Sequence, residues 1–353
     1  MRRTTLAILA IALVTAACTQ TIDSSPAPGS SAPVTITLLT HDSFDVTKSV
    51  LRDFEDRTGI TVKVVPVGDA GQLANRLILA SGNPEGDVAF GVDNDQLAEL
   101  FAKDVFVPYE AAGLGDVAPD LLLDDQDRVT PVDHGEVCVN IDKERYVGDG
   151  PVPSSLEDLA NPAFRDQLVV ENPATSTPGL AFLLATVAAY GDPGFEDYWR
   201  RLRDNGVTVV DGWEQAYFGE FSGAGGGEGT HPMVVSYATS PVAEVVFADP
   251  PITVAPTGVL TETCYRQIEF AGILRGTEHE AAAQQLLDFL LSQPFQQDIP
   301  LRMFVYPAST TATLPAVFRR NAAVVTDPYE LSSDEVAAHR ADWVARWSDL
   351  MGQ

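Results

Sequence analysis

The sequence predicts an α/β fold in two lobes. Three observations carry this: apolar β-branched runs alternate with helical-period segments, the rhythm restarts in the middle of the chain, and 353 residues exceed one average core. Residues 34–39 (VTITLL) form an apolar, β-branched run that reads as a buried strand. Residues 45–58 carry Val46, Val50, Leu51 and Phe54 at helical spacing and stop at Gly59. A second strand follows at 61–67 (TVKVVPV), a helix at 72–81, a third strand at 87–92 (DVAFGV) and a helix at 95–103. Strands alternating with helices at this pace pair in parallel, with helices on both faces. Ligands of such sheets sit outside the carboxyl ends of the strands, at helix N-termini.

The pattern resumes with a strand at 135–141 and a short helix opened by Ser154 and Glu157 as a capping box. A strand at 168–171 leads through NPATSTPG (172–179) into an apolar helix at 180–190. Strand 207–210, helix 213–221 and strand 233–237 complete a second α/β lobe. A strand at 267–274, a helix at 278–292 and a Pro-flanked turn at Tyr306 precede a last helix. That helix opens with Ser332 and Glu335, and its stripe of Val336, Trp343, Val344 and Trp347 reads as core.

The first residues lie apart from the fold. Arg2 and Arg3, the apolar run 6–14 and the small residues Thr15, Ala16 and Ala17 before Cys18 make a secretory signal too short for a stable membrane span. A cysteine directly after small residues resembles the bacterial lipobox, in which the thiol is acylated, although Thr15 stands where Leu is usual. Residues 19–33 (TQTIDSSPAPGSSAP) lack apolar periodicity and read as a tether. The processed chain keeps 20 basic against 50 acidic residues. Such a field repels nucleic acid and anionic lipid and favours cationic partners, besides keeping a secreted protein soluble. Cys138 and Cys264 remain after Cys18. Outside the cytoplasm they are either a disulfide or two separate buried thiols.

Catalytic signatures such as Gly-x-Ser-x-Gly, His-Glu-x-x-His and Cys-x-x-Cys are absent from the sequence. The run 223–229 (GAGGGEG) lacks the Lys-Ser/Thr of a phosphate loop, and the five histidines have no ligand spacing, so neither metal nor cofactor is expected. Polar and aromatic residues instead gather at predicted strand ends. His41, Asp42 and Ser43 follow the first strand, and Asp93 and Asn94 the third. Thr175, Ser176 and Thr177 precede a helix with Pro178 at its start, where backbone amides can receive an anion or a polar ligand edge. Trp213 follows a strand with Tyr217 one turn later, and Tyr237 ends a strand with Ser240 close behind. Singly these are ordinary caps or core residues; their shared position marks them as a candidate site.

The segments THDSF (40–44), GVDND (91–95), NPATSTPGL (172–180), DGWEQAY (211–217), VSYATSP (235–241) and YPASTTATLP (306–315) resemble, in order and spacing from residue 34 onward, the periplasmic thiamine-binding proteins of ABC importers. The resemblance implies a type II periplasmic-binding-protein fold, two α/β lobes with a ligand cleft between them. Its implied division is 34–132 plus 266–353 for the first lobe and 133–265 for the second, after a signal at 1–17 and a lipid-anchored tether at 18–33. It further implies a monomeric receptor on the outer face of the membrane that passes thiamine or its phosphates to a permease. Trp213 and Tyr237 would flank the ligand's rings, and Ser176 with its neighbours would bind the hydroxyethyl or phosphate end. His41 stands where the family usually has Tyr, which leaves a pyrimidine precursor open as ligand. A protonated His41 would oppose a bound cation below about pH 6.

The chemistry agrees with the residue types. A thiazolium cation gains ~0.5–2 kcal/mol from each aromatic face in a dry site, and ring stacking adds ~0.5–1.5 kcal/mol. Asp42 and Asp93 offer acceptors for an aminopyrimidine. Cys138 and Cys264 fall near the expected lobe crossings, where a bond between them would stiffen the hinge. Other readings within the same fold are a polyamine, ferric-ion or phosphonate receptor. Ferric-ion relatives use adjacent tyrosines, and this chain has no Tyr-Tyr pair. A secreted thiamine-processing enzyme would need a cysteine nucleophile in the cleft, whereas both cysteines fall on strands.

Overall fold

A computed structural model describes residues 34–225 and 229–353. The signal segment, Cys18 and the tether lie outside the described residues. β1 (Val34–Thr40), β2 (Ile60–Pro66) and β3 (Val88–Asp93) form a parallel group with β1 in the centre, Val34 opposite Ile60 and Leu38 opposite Val88. α1 (Lys48–Thr58), α2 (Ala70–Leu79) and α3 (Leu97–Ala102) link them. α1 starts three residues later than its apolar spacing suggests. The backbone amide and hydroxyl of Thr47 are instead held at 2.7 Å by the carboxylate of Asp298 from a distant helix. After the short β4 (Phe106–Val107), β5 (Thr130–Asp142) carries the chain into a second core.

There α4 (Leu156–Leu159), β6 (Leu168–Glu171), α5 (Thr177–Tyr190), α6 (Gly194–Asp204), β7 (Thr208–Val210), β8 (Met233–Tyr237) and α7 (Ser240–Val246) follow in turn. The capping box of α4 is made by Ser155 and Asp158, one residue beyond the predicted pair. α5 is apolar on all sides because it is buried on all sides. The predicted helix at 213–221 is a π-helical turn over Gln215–Glu220, a geometry common at functional sites. β9 (Thr257–Leu274) returns the chain to the first core, ten residues longer than its apolar segment suggested. α8 (Glu280–Leu290), α9 (Gln293–Arg302), β10 (Tyr306–Pro307), α10 (Ala316–Asn321) and α11 (Ser333–Met351) complete the chain.

Among the described residues one sheet runs β2-β1-β3-β9-β5-β8-β6-β7. Its outer groups are parallel, while β9 and β5 at the middle are antiparallel. These two long strands pass through both cores. Val132, Ile268 and Phe270 pack in the first core, and Val137, Val139, Leu260 and Tyr265 in the second. The type II arrangement of two lobes joined by crossing strands follows from this pairing. Cys138 on β5 and Cys264 on β9 form a disulfide with Cα atoms 4.1 Å apart, clipping the two crossing strands together.

α11 departs from the expected division. Val336, Trp343 and Trp347 belong to the second core, not to the lobe of residues 266–302. Trp347 meets Trp199 of α6 edge to face at 5.4 Å, and the Trp343 indole N–H donates to Asp192 at 3.1 Å. Residues 333–351 therefore belong to the second lobe, although Arg340 of the same helix reaches back to Glu99 of α3 in an ion pair.

Candidate functional site

A cleft of about 720 Å³ opens where β1, α2 and the 302–305 segment of the first lobe face α5, the π-helical turn and α7 of the second. This lies within the range of small-molecule sites, roughly 300–1,000 Å³. Of the candidates from the sequence, His41, Asp42, Ser43, Thr177, Trp213, Tyr217, Tyr237 and Ser240 line it. Asp93, Asn94 and Ser176 do not.

β3 is an inner strand, and its last residue Asp93 is paired with Glu269 of β9. Asp93 there is 1% exposed, and its carboxylate accepts from the backbone amide of Asp95 at 3.0 Å. Burial beside Asp95 raises its pKa well above the carboxylate range. Burial likewise lifts Asp95 to about 7, against the lowering effects of the Tyr265 hydroxyl and Arg340. Asn94 is spent on β9, accepting from the Ile268 amide at 2.8 Å. Ser176 occupies the cap position of α5, with its hydroxyl fully buried and without a partner among the described residues.

The aromatic wall is built in layers. The Trp213 indole stacks on Tyr217 at 5.1 Å and 22°, and Tyr237 meets it edge-on at 6.5 Å and 67°. Trp213 and Tyr237 thus form a corner on the second lobe, rather than jaws on opposite lobes. Tyr237 also packs against both cores, so it stands at the hinge side of the cleft. Tyr217 is 1% exposed, and its hydroxyl donates to Glu244 at 2.9 Å. It backs the indole and offers no polar atom to a ligand. The indole N–H donates to Ser236 Oγ at 2.9 Å, and Ser236 bonds Ser240 Oγ at 2.7 Å. Ser240 in turn accepts from the Tyr237 amide at 3.1 Å, so this chain fixes both rings. At the mouth, Phe247 after α7 is 71% exposed and meets Phe304 of the first lobe at 5.4 Å.

Carboxylates supply the polarity, and several were not evident from strand ends. Glu269 lies midway along β9, 3.5 Å from His41 Nε2. Burial alone would lower the His41 pKa, but the Glu269 carboxylate, with Asp69 and Asp42 nearby, raises it above the ordinary imidazole value. Glu269 is held low: burial would raise it, and His41 outweighs that. When His41 is protonated, the charges of its imidazolium and the Glu269 carboxylate offset, unlike the bare cation expected at position 41. Gly91 makes room for it, since a Cβ there would lie 2.1 Å from His41 Cδ2. Asp133 faces Glu269 across the β5–β9 pairing, and burial next to that charge raises its pKa well above the carboxylate range.

Asp69 joins the lobes. It precedes α2 on the first lobe, and its carboxylate accepts from the amides of Thr177 at 3.2 Å and Trp213 at 3.0 Å on the second. Beside it the Gln72 amide donates to Thr175 O at 3.1 Å. This approach requires Gly71, whose missing Cβ would sit 2.6 Å from the Thr175 carbonyl. Asp69 follows a strand just as His41 and Asp42 do, so the strand-end rule applied to β2 would have found it. A lone charge inside the apolar run of β9 was the signal for Glu269.

No cluster of metal-binding side chains occurs among the described residues. Residues 86–327 match the family of bacterial extracellular solute-binding proteins. The chain belongs to that family. Within it, this solute-binding protein is similar to the thiamine-binding periplasmic protein of Escherichia coli K12, 31% identical over 325 residues, which are 91% of this chain and 94% of that one. The thiamine-binding periplasmic protein of Brucella suis biovar 1 is also 31% identical, over 91% of this chain and 93% of the relative. The solved structure of a periplasmic thiamin binding protein superposes with a TM-score of 0.79 at 28% identity, covering 92% of this chain and 98% of that one. These relatives are binding proteins by name. No helix among the described residues is long and apolar enough to cross a membrane.

Proposed function

We propose that this solute-binding protein is the extracytoplasmic receptor of an ABC importer and captures thiamine or a close derivative of it. On this reading it is a monomer, held to the outer face of the membrane through an acylated Cys18 and its tether, and it docks on a permease with its lobes closed. The observation that carries the reading is the corner of Trp213 and Tyr237 inside a cleft rimmed by Asp42, Glu214, Glu244 and Glu269. Tyr217 stacks on the indole, and the half-buried Trp213 borders the cleft, where a flat ring can pack against it. A permanent cation gains there from the ring quadrupole and from the carboxylates together. The aminopyrimidine amine finds acceptors in those same carboxylates.

Closure follows from the fold. The two lobes turn about β5 and β9, the disulfide holds these strands in register, and contacts such as Asp69 with Thr177 form as the lobes meet. Catalysis has little support here. Cys138 and Cys264 are bonded to each other and line no part of the cleft.

Intrinsic fluorescence tests the reading. Trp199, Trp343 and Trp347 are buried in the second core, so a ligand that changes emission reports on Trp213. Thiamine should give a saturable, one-to-one change that Trp213→Phe abolishes, and spermidine should give none. A spermidine response matching that of thiamine would replace the reading with a polyamine receptor.

A further inference from the structure

Around the cleft the lobes touch in two different ways. Between α2 and the start of α5 the contact is polar. Asp69 accepts from the Thr177 and Trp213 amides at 3.2 and 3.0 Å, and the Asn75 side-chain amide donates to the Ala174 carbonyl at 3.2 Å. At the mouth the contact is a single pair of rings. Phe247 of the second lobe meets Phe304 of the first edge to face, with centroids 5.4 Å apart and planes at 62°. Both rings border the cleft.

Neither ring sits where local chemistry alone would put it. Phe304 has a φ of +57°, in the left-handed region that a bulky side chain rarely adopts. The surrounding fold imposes it. The Met303 amide caps α9 on the Ile299 carbonyl at 2.9 Å, Val305 is buried, and Tyr306 pairs with His134 of β5. Strain held in place by its surroundings in this way points to a functional position. Phe304 is thus a fixed jaw. Phe247 is the opposite case, a large apolar ring that is 71% exposed. The segment behind it is tied at its two ends: the Phe247 amide donates to the Ala243 carbonyl at 3.0 Å, and the Ala255 amide donates to Asn321 at 3.1 Å. Between these ties residues 248–254 make no hydrogen bond among the described residues, and all but Ala248 are exposed. A stretch held so lightly opens at little cost.

We propose that Phe247 and Phe304 are a cross-lobe latch at the mouth of the cleft: the 247–254 segment brings Phe247 onto the fixed Phe304 as the lobes close, and the pair sets how long ligand is retained. This rests on the thiamine reading for its probe, and it concerns release rather than recognition. Because the rings belong to different lobes, their attraction exists only in the closed state and is lost on opening. It therefore slows departure and leaves the encounter rate unchanged. An edge-to-face pair of this kind accounts for roughly a 2- to 12-fold difference in release rate.

Stopped-flow fluorescence of Trp213 against thiamine concentration tests this, the slope of the observed rate giving association and the intercept giving release. Phe247→Ala, Phe304→Ala and the double variant form a cycle. Each single variant should release thiamine roughly 2- to 12-fold faster with association unchanged, and the double variant should be about as fast as either single. Phe304→Gly adds a readout that a merely structural side chain would not give. Relief of the positive φ should leave the thermal midpoint of the ligand-free protein at or above wild type while release speeds up. Wild-type release rates in the single variants would overturn the proposal, as would single effects that multiply in the double, since rings that do not act on one another make no latch. A Phe304→Gly protein that melts well below wild type would mark a packing residue and count against it equally. Should that variant fail to fold, Phe247→Ala, at an exposed ring, still reports the release rate. Wild-type protein with no response to thiamine would sink the thiamine reading and the latch with it, whereas thiamine binding with unaltered variants would sink the latch alone.

Discussion

Replacing Trp213 with Ala removes the one aromatic face in the cleft that is stacked from behind and hydrogen-bonded at its edge. Three contributions are lost together. The cation–π attraction of a half-buried indole is worth ~0.5–2 kcal/mol, and ring stacking ~0.5–1.5 kcal/mol. The indole N–H bond to Ser236 adds about 1 kcal/mol of positioning, since it ties the ring to Ser240 and Tyr237. Allowing for overlap, the loss is about 2–4 kcal/mol, or roughly 30- to 1,000-fold in Kd. Titration calorimetry with thiamine measures it without depending on the lost fluorophore. Trp213→Phe keeps a ring face but not the N–H, and should lose only about 1 kcal/mol. The thermal midpoint of the Ala variant should fall by a few degrees at most, because the indole is only half-buried against a small satellite cluster. A Trp213→Ala protein that binds thiamine within threefold of wild type would refute the aromatic-corner account.

Further outcomes follow from other parts of the site. His41 carries a raised pKa, so its ion pair with Glu269 stabilises the fold fully below the ordinary imidazole pKa near 6.5, and that stability is lost as pH rises through the raised value. For binding the sign is opposite. Loss of the imidazolium charge leaves the cleft more negative, so thiamine affinity should increase with pH above 6.5, and His41→Gln should flatten that rise; parallel profiles for the two proteins would count against it. Asp69, Glu214 and Glu244 are each raised chiefly by burial, so acidification toward pH 5 should weaken binding further as they begin to protonate. Gly71→Ala would force a methyl against the Thr175 backbone, a strain of about 1–3 kcal/mol. Weaker ligand binding and a larger radius of gyration with ligand present are the expected readouts, and unchanged values of both would show that the lobes tolerate the gap. Reduction of Cys138–Cys264, which closes 126 residues of chain, should lower stability by up to about 4–5 kcal/mol. Thiol counting on an unfolded Cys18→Ala chain should find none before reduction and two after it.

Much of the first lobe was legible because β3 is buried on both faces, which makes Val88–Val92 apolar without interruption, while β1 and β2 bury Ile36 and Val62 between the exposed Thr35, Thr61 and Lys63 and so carry the strand alternation. α6, α7, α9 and α10 were not foreseen. α9 carries prolines at positions 294 and 300, which weaken the helical signal, while α7 and α10 are too short for period alone to show them. The stripe on α11 told that the helix packs, but which core it meets depends on Trp199 and Phe195 arriving from a segment more than a hundred residues earlier. At the site, strand ends led to His41, Asp42, Thr177, Trp213 and Tyr237, because the fold does place its cleft there. The same rule pointed to Asp93 and Asn94, which lie outside the cleft lining, their side-chain oxygens taken by the backbone amides of Asp95 and Ile268. Glu269 and Phe304 face the cleft only through tertiary placement, one from mid-strand and one from a turn with φ near +57°.

The central claim is that positive charge on a flat ring is what the acidic aromatic cleft holds. Calorimetry comparing thiamine with an isostere in which an uncharged thiophene replaces the thiazolium tests it most directly, since shape and hydrogen bonding are kept while the charge is removed. The account predicts that the neutral isostere binds at least about tenfold more weakly. Equal affinity for the two would contradict it.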